Sequence, residues 1–137
     1  MHHFRIAAAI ALLVLAPSLS LAAGGSWQTA TAISVTGGVT SRSTFVLQAY
    51  VTLPQQCYAA HIRTLSMSSQ LHRSFIVEQQ APSSPCAQKT SYNCTVVSPT
   101  YRLPIQQPVD VESKGKTWKV HLTMHEPTPT PPMCRKA

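Results

Sequence analysis

Apolar and polar positions alternate along most of this chain. In FVLQAYVTL, Phe45, Leu47, Ala49, Val51 and Leu53 fall on one face, while Gln48, Tyr50 and Thr52 take the other. A period of two over this length is the pattern of a half-buried β-strand. YAAHIRTL repeats it with Tyr58, Ala60 and Ile62 on one side, and RSFIVEQ with Phe75 and Val77 facing inward. Between them the SSQ run supplies a turn. TVVSPTYRL reads as a strand interrupted by Pro99, which belongs at an edge or a bulge. VDVESKGKTWKVHL predicts a hairpin, with Val109 and Val111 on one arm and Trp118, Val120 and Leu122 on the other. Gly115 provides its turn. TAISVTGGVTSRS predicts a further hairpin, folded about Gly37 and Gly38.

No segment after the N-terminal region repeats at 3.6 residues. With eleven prolines and turn signals about every 8 to 12 residues, the pattern predicts a mainly β fold. The expected architecture is an antiparallel, immunoglobulin-like β-sandwich of about seven strands. The Cys–Trp–Cys spacing of antibody domains does not occur. The last stretch, EPTPTPPMCRKA, is Pro-rich and predicts an extended, polyproline-like tail over 126–137.

The N-terminus changes the picture. Arg5, with His2 and His3, precedes an unbroken apolar run from Ile6 to Ala16; Pro17 breaks it, and small residues follow to Ala23. This is the three-part layout of a secretory signal peptide. The run is shorter than the about 20 residues that span a bilayer. Residues 1–23 are therefore expected to be a signal peptide, with Ser20 and Ala22 at the −3 and −1 positions. A β-sandwich over 24–125 follows, in a secreted or periplasmic protein with no membrane span once the signal is cut. The about 114 residues that remain suit one small domain. A domain of that size buries only part of its surface and gains from cross-links.

Eleven Lys and Arg residues face four acids, Glu78, Asp110, Glu112 and Glu126, for a net charge of +7. The charges are scattered, and no run resembles a nucleic-acid-binding arm. Tyr58, Tyr92 and Tyr101 with Arg63, Arg73 and Arg102 are the basic–aromatic set that nucleic-acid binding would need, but export argues against such a partner. The accessible partners of an exported basic chain are an envelope protein or an anionic surface polymer. Sequence leaves the oligomeric state open.

Four cysteines, Cys57, Cys86, Cys94 and Cys134, read first as two disulfides in an oxidising compartment. No Cys-x-x-Cys pair occurs, and no helix start is present to lower a thiol pKa. Four cysteines allow three connectivities. The segment LPQQCYAAHIR, followed later by PCAQ and a closing strand hairpin, resembles a group of small exported bacterial β-sandwich proteins without established activity. The resemblance runs roughly from Phe45 to Leu122. It implies that Cys57 pairs with Cys86 across neighbouring strands. Two departures stand out: Cys94 and Cys134 are additional, and the group's VNG-like closing turn is here SKGKTWKV. Pairing Cys94 with Cys134 would tie the Pro-rich tail to the domain. Cys86–Cys94 with Cys57–Cys134 is the competing arrangement.

Two chemistries compete with this stapled, non-enzymatic, cofactor-free reading. HLTMHEPTPTPPMC places His121, Met124, His125 and Met133 close in sequence, and imidazole with thioether suits copper or zinc. His121 and His125 stand about 13 Å apart if the chain is extended, so chelation needs a bend after Leu122. His61 and His72 lie on other expected strands. Asp110 and Glu112 sit two apart on one strand face, about 6.6 Å by strand rise. That separation suits a glycosidase pair, but a solvated outer face explains it more simply. The serines lack a Gly-x-Ser-x-Gly nucleophile elbow. The leading expectation is an exported binding or structural module of the cell envelope. Its surface would be the loops at one end, Pro82 to Cys94 and the Pro-rich tail.

Overall fold

The computed structural model describes residues 25–87, 89–124 and 134–137. The segment 1–23 expected to be a signal peptide, most of the Pro-rich tail, His125 and Met133 lie outside the described residues.

The described chain is all β: two sheets packed face to face. The first contains β1 (Gln28–Thr29), β4 (Ala59–Met67), β5 (Arg73–Gln80), β8 (Val109–Ser113) and β9 (Lys116–Val120). β4 covers one edge of β5; β1 and β8 share the other, and β9 follows β8. The second sheet has the order β10 (Leu122–Thr123), β2 (Thr31–Ser41), β3 (Thr44–Leu53), β6 (Tyr92–Val97) and β11 (Arg135–Lys136), with β7 (Tyr101–Arg102) also on β3. About seven strands were expected and eleven are described; the difference is β1, β7, β10 and β11, each of two residues. The pairing is not purely antiparallel either, since β5 with β8 and β10 with β2 run parallel.

The alternation in β3 dictates the core. Phe45, Leu47, Ala49, Val51 and Leu53 are each at most 2 % exposed. From the facing sheet Ile62, Phe75, Val77, Val109 and Val111 complete it. Phe45 meets Phe75 edge to face at 6.2 Å, and Tyr101 packs against both rings at 5.6 and 4.7 Å. That trio joins the two sheets. Each buried Phe contributes about 1.5–3 kcal/mol of transfer free energy.

The hairpin expected about Gly37 and Gly38 does not form. β2 runs straight through both, and the chain reverses between Ser41 and Thr44. Close approach accounts for Gly37. A Cβ there would lie 2.6 Å from Leu122 Cδ2 and 3.0 Å from Leu47 Cδ2. β10 can reach β2 only over a residue without a side chain. Gly115, by contrast, is a turn glycine with φ 76°. Pro99 divides β6 from β7 as its missing N–H requires. Across the break, Ser98 Oγ accepts the hydrogen bond of Leu47 N at 2.8 Å.

Both disulfides are present. Cys57–Cys86 links the β3–β4 connection to the β5–β6 connection. Cys94–Cys134 ties β11 to β6. Cys94 is buried in the core, whereas Cys57 is exposed. Two disulfides fit an oxidising, extracytoplasmic setting.

Candidate functional site

The outer face of the first sheet carries the described acids. Glu78 on β5 stands opposite His61 on β4 and Thr29 on β1. It is 6 % exposed and accepts hydrogen bonds from Arg63 Nε, from Arg63 Nη2 at 3.2 Å, and pairs with His61 Nε2 at 2.9 Å. The guanidinium of Arg63, more than the burial opposing it, holds this carboxyl below the usual carboxylate range; His61 adds to the effect. Trp27 stacks on the His61 ring at 3.7 Å. This cluster fastens β1 to β4 and β5, and none of its buried side-chain polar atoms lacks a hydrogen-bond partner.

Four residues of pleat toward β4's far end, the same face forms a different arrangement. Ser66 on β4 faces Ser74 on β5, Ser74 faces Asp110 on β8, and Asp110 faces Lys119 on β9. Cross-strand register thus sets four polar side chains in one row across four strands. Ser66 Oγ and Ser74 Oγ are 2.7 Å apart, and Lys119 Nζ donates to Asp110 Oδ1 at 2.7 Å. The row is the floor of an open cleft of about 470 Å³. One wall is the β4–β5 turn, with Ser68, Leu71 and His72; the other is the β7–β8 loop, with Gln106, Gln107 and Pro108.

The walls are held together. Gln106 N donates to Leu71 O at 2.8 Å. Arg73 Nε donates to Gln70 O at 2.7 Å, and its Nη2 donates to the carbonyls of Arg102 and Pro104. Its guanidinium also lies 5.6 Å over the Phe45 ring. One arginine therefore ties turn, loop and core together, and no acid among the described residues neutralises it. Gln107 Oε1 accepts from Leu122 N at 2.9 Å, which fixes its amide. His72 Nδ1 sits 3.0 Å from Ser69 Oγ.

The sequence singled out other places. The loop from Pro82 to Cys94 lies at the opposite end of the strands from the cleft, stapled through Cys86. His121 is exposed at the β9–β10 junction, and Met124 is 83 % exposed. Cys134, which a metal site would want as a thiol, is bridged to Cys94. No group of three His, Cys, Asp or Glu residues able to hold a metal occurs among the described residues. The basic–aromatic set disperses: Tyr101 joins the core trio, Arg63 serves Glu78, and Arg73 braces the cleft. Asp110 and Glu112 do share the outer face of β8, but Asp110 belongs to the cleft row with Lys119 while Glu112 faces Thr117. Ser66, Ser74, Lys119, Gln106 and Gln107 were not foreseen as site residues.

Comparison of the chain with protein-family models, with curated proteins and with solved structures finds no match.

Proposed function

We propose that this protein is an exported, non-enzymatic binding module of the cell envelope, an immunoglobulin-like β-sandwich that engages an anionic surface polymer. The observation that carries the reading is how the charge is spent. Of the three described acids, Glu78 is taken up by Arg63 and His61, and Asp110 by Lys119. Arg42, Lys89, Arg102, Lys114, Lys116, Arg135 and Lys136 are exposed, and none has an acidic partner among the described residues. Without Arg5 of the signal segment the exported chain keeps ten Lys and Arg against four acids, and this excess meets solvent largely uncompensated. Such a surface attracts polyanions and repels other cations. The signal-like N-terminus and the resemblance to small exported β-sandwich proteins support this setting, and the two disulfides suit it.

The test is retention on immobilised polymers. The purified protein is expected to stay on polygalacturonate and on lipopolysaccharide at about 20 mM salt, where the Debye length is long, and to elute as salt approaches ~0.5 M. Dextran, a neutral polymer, should not hold it. Equal retention on dextran, or no retention on either polyanion, overturns the reading.

A further inference from the structure

We infer that the cleft floored by Ser66, Ser74, Asp110 and Lys119 binds a sugar acid, a saccharide unit carrying a carboxylate. The inference rests on the anionic-polymer reading and gives it a site.

Three features select this ligand class. The first is the mixture of donors and acceptors. Lys119, His72 and the glutamine amides donate, while Asp110 and the serine hydroxyls accept; Arg73, whose Nε and Nη2 are taken by backbone carbonyls, contributes charge. A ring bearing several hydroxyls satisfies both kinds. Planar carboxylate and amide groups engage vicinal hydroxyls two at a time. The second is charge. Lys119 and Arg73 outweigh Asp110, so the cleft favours one negative charge on its occupant. Asp110 sits in the floor itself and disfavours a compact anion such as sulfate, which brings no hydrogen-bond donor to meet it, or phosphate, which brings only one or two P–OH groups beside a larger negative charge. A hydroxylated monoanion escapes that penalty, because its hydroxyls face Asp110 while its carboxylate faces the cations. The third is shape. At about 470 Å³ the cleft falls among small-molecule sites. Leu71, 45 % exposed, and Pro108 each give their wall an apolar surface for the C–H face of a ring. Among the described residues no Phe, Tyr or Trp lines it, so it lacks the broad aromatic platform that stacks a nucleobase.

The site is also pre-organised. Its floor is fixed by sheet register, and its walls by the Gln106–Leu71 bond and the carbonyls gathered on Arg73. Little ordering remains for the ligand to induce, which favours affinity. Its openness suits one unit of a polymer whose neighbours continue past the rim.

The experiment is a titration of isotopically labelled protein, followed by amide NMR, with galacturonate, glucuronate, glucose, inorganic phosphate and glycine as probes. Galacturonate or glucuronate should shift the amides of Ser66, Ser74, Gln106, Gln107, Asp110 and Lys119, with glucose and phosphate at least tenfold weaker. Lys119→Met and Asp110→Asn should each weaken the sugar acid at least tenfold. Both residues are surface-exposed, so the spectrum outside the cleft verifies that the variants fold; Gln106→Ala is a second probe of the wall. Equal binding of glucose, stronger binding of phosphate, or glycine shifting the same amides as strongly overturns the inference. So does tight binding that the Lys119 and Asp110 variants leave unchanged. If the protein holds polygalacturonate but no monomer shifts the cleft, the cleft inference falls and the polymer reading stands. If the polymer is not held, the reading itself falls.

Discussion

Removing the Cys57–Cys86 bridge should cost this protein a large fraction of its stability without disturbing its core. The bridge closes a loop of 29 residues in sequence separation. In the chain-entropy model that constrains the unfolded chain by about 3.6 kcal/mol at 25 °C. Cys57 is exposed and Cys86 half-buried, so replacing both by serine opens no cavity. Cys94–Cys134, with a separation of 40, gives about 3.9 kcal/mol on the same basis. The two loops follow one another along the chain and do not nest, so their effects should add to about 7.5 kcal/mol. Domains of this size have only about 5–15 kcal/mol in total. The assay is urea unfolding followed by tryptophan fluorescence, since Trp27 and Trp118 both report on the first sheet. With a slope of about 1.5 kcal/mol/M, Cys57→Ser with Cys86→Ser should lower the midpoint by about 2.4 M. The chain lacking both bridges should have no cooperative transition or one near zero denaturant. A shift below about 0.5 M for the first variant, or a four-serine chain that still unfolds within about 1 M of the parent, would refute the account of the bridges as staples.

Three further outcomes follow from the packing and the charge cluster. Gly37→Ala places a methyl against Leu122 and Leu47 and should cost about 1–3 kcal/mol by overpacking, with Leu122→Ala in the same chain restoring part of the loss; thermal melts of the two variants and the parent check it. Phe75→Ala removes a fully buried ring of the trio with Phe45 and Tyr101 and should cost about 3–5 kcal/mol in the same assay. Glu78→Gln should flatten the acid limb of the stability curve. The Glu78 carboxyl is held below its ordinary range, chiefly by Arg63. Its contribution is therefore complete above the unfolded carboxylate pKa of about 4.3 and is lost as pH falls through the lower folded value. Near pH 7 the variant should be less stable by about 1–2 kcal/mol, a figure reduced for the solvent around half-exposed Arg63. The gap should close as pH drops below the folded value; a gap that persists unchanged there contradicts the assignment.

Much of the fold is legible in the chain because its signal is local. The alternation from Phe45 to Leu53 identifies β3 and its buried face residue by residue, and the Val109–Val120 hairpin with Gly115 at its turn reads directly. What escapes is set by partners distant in sequence. Gly37 and Gly38 have turn composition, and nothing nearby reveals that Leu122 will occupy the space above Gly37. Leu122 itself continues the alternation of β9 but changes sheets after His121, so it joins β2 instead of extending the hairpin. β1 is two residues long and carries no periodicity, and its position follows from Trp27 on His61 and Ala30 in the core.

The cleft shows the same divide within one site. The opposition of Asp110 and Lys119 can be counted off from the turn at Gly115, and the outward direction of Asp110 follows from Val109 and Val111 facing inward. Ser66 and Ser74 join them only through a bulge in β4 between Thr64 and Ser66 and through the parallel pairing of β5 with β8, which no turn connects. Without that bulge, Ser66 would be displaced from the row by a residue, and a one-residue slip exchanges the two faces of a strand. Leu65, the extra residue, is accordingly exposed. The bulge thus blunts the β4 edge against pairing with another chain and brings Ser66 into the cleft floor. Deleting Leu65 separates these roles. It should make the β4 pairing regular while leaving Ser66 opposite Ser74 and the Asp110–Lys119 pair in place, so cleft binding should survive while the flattened β4 edge makes the protein self-associate more readily on size-exclusion chromatography.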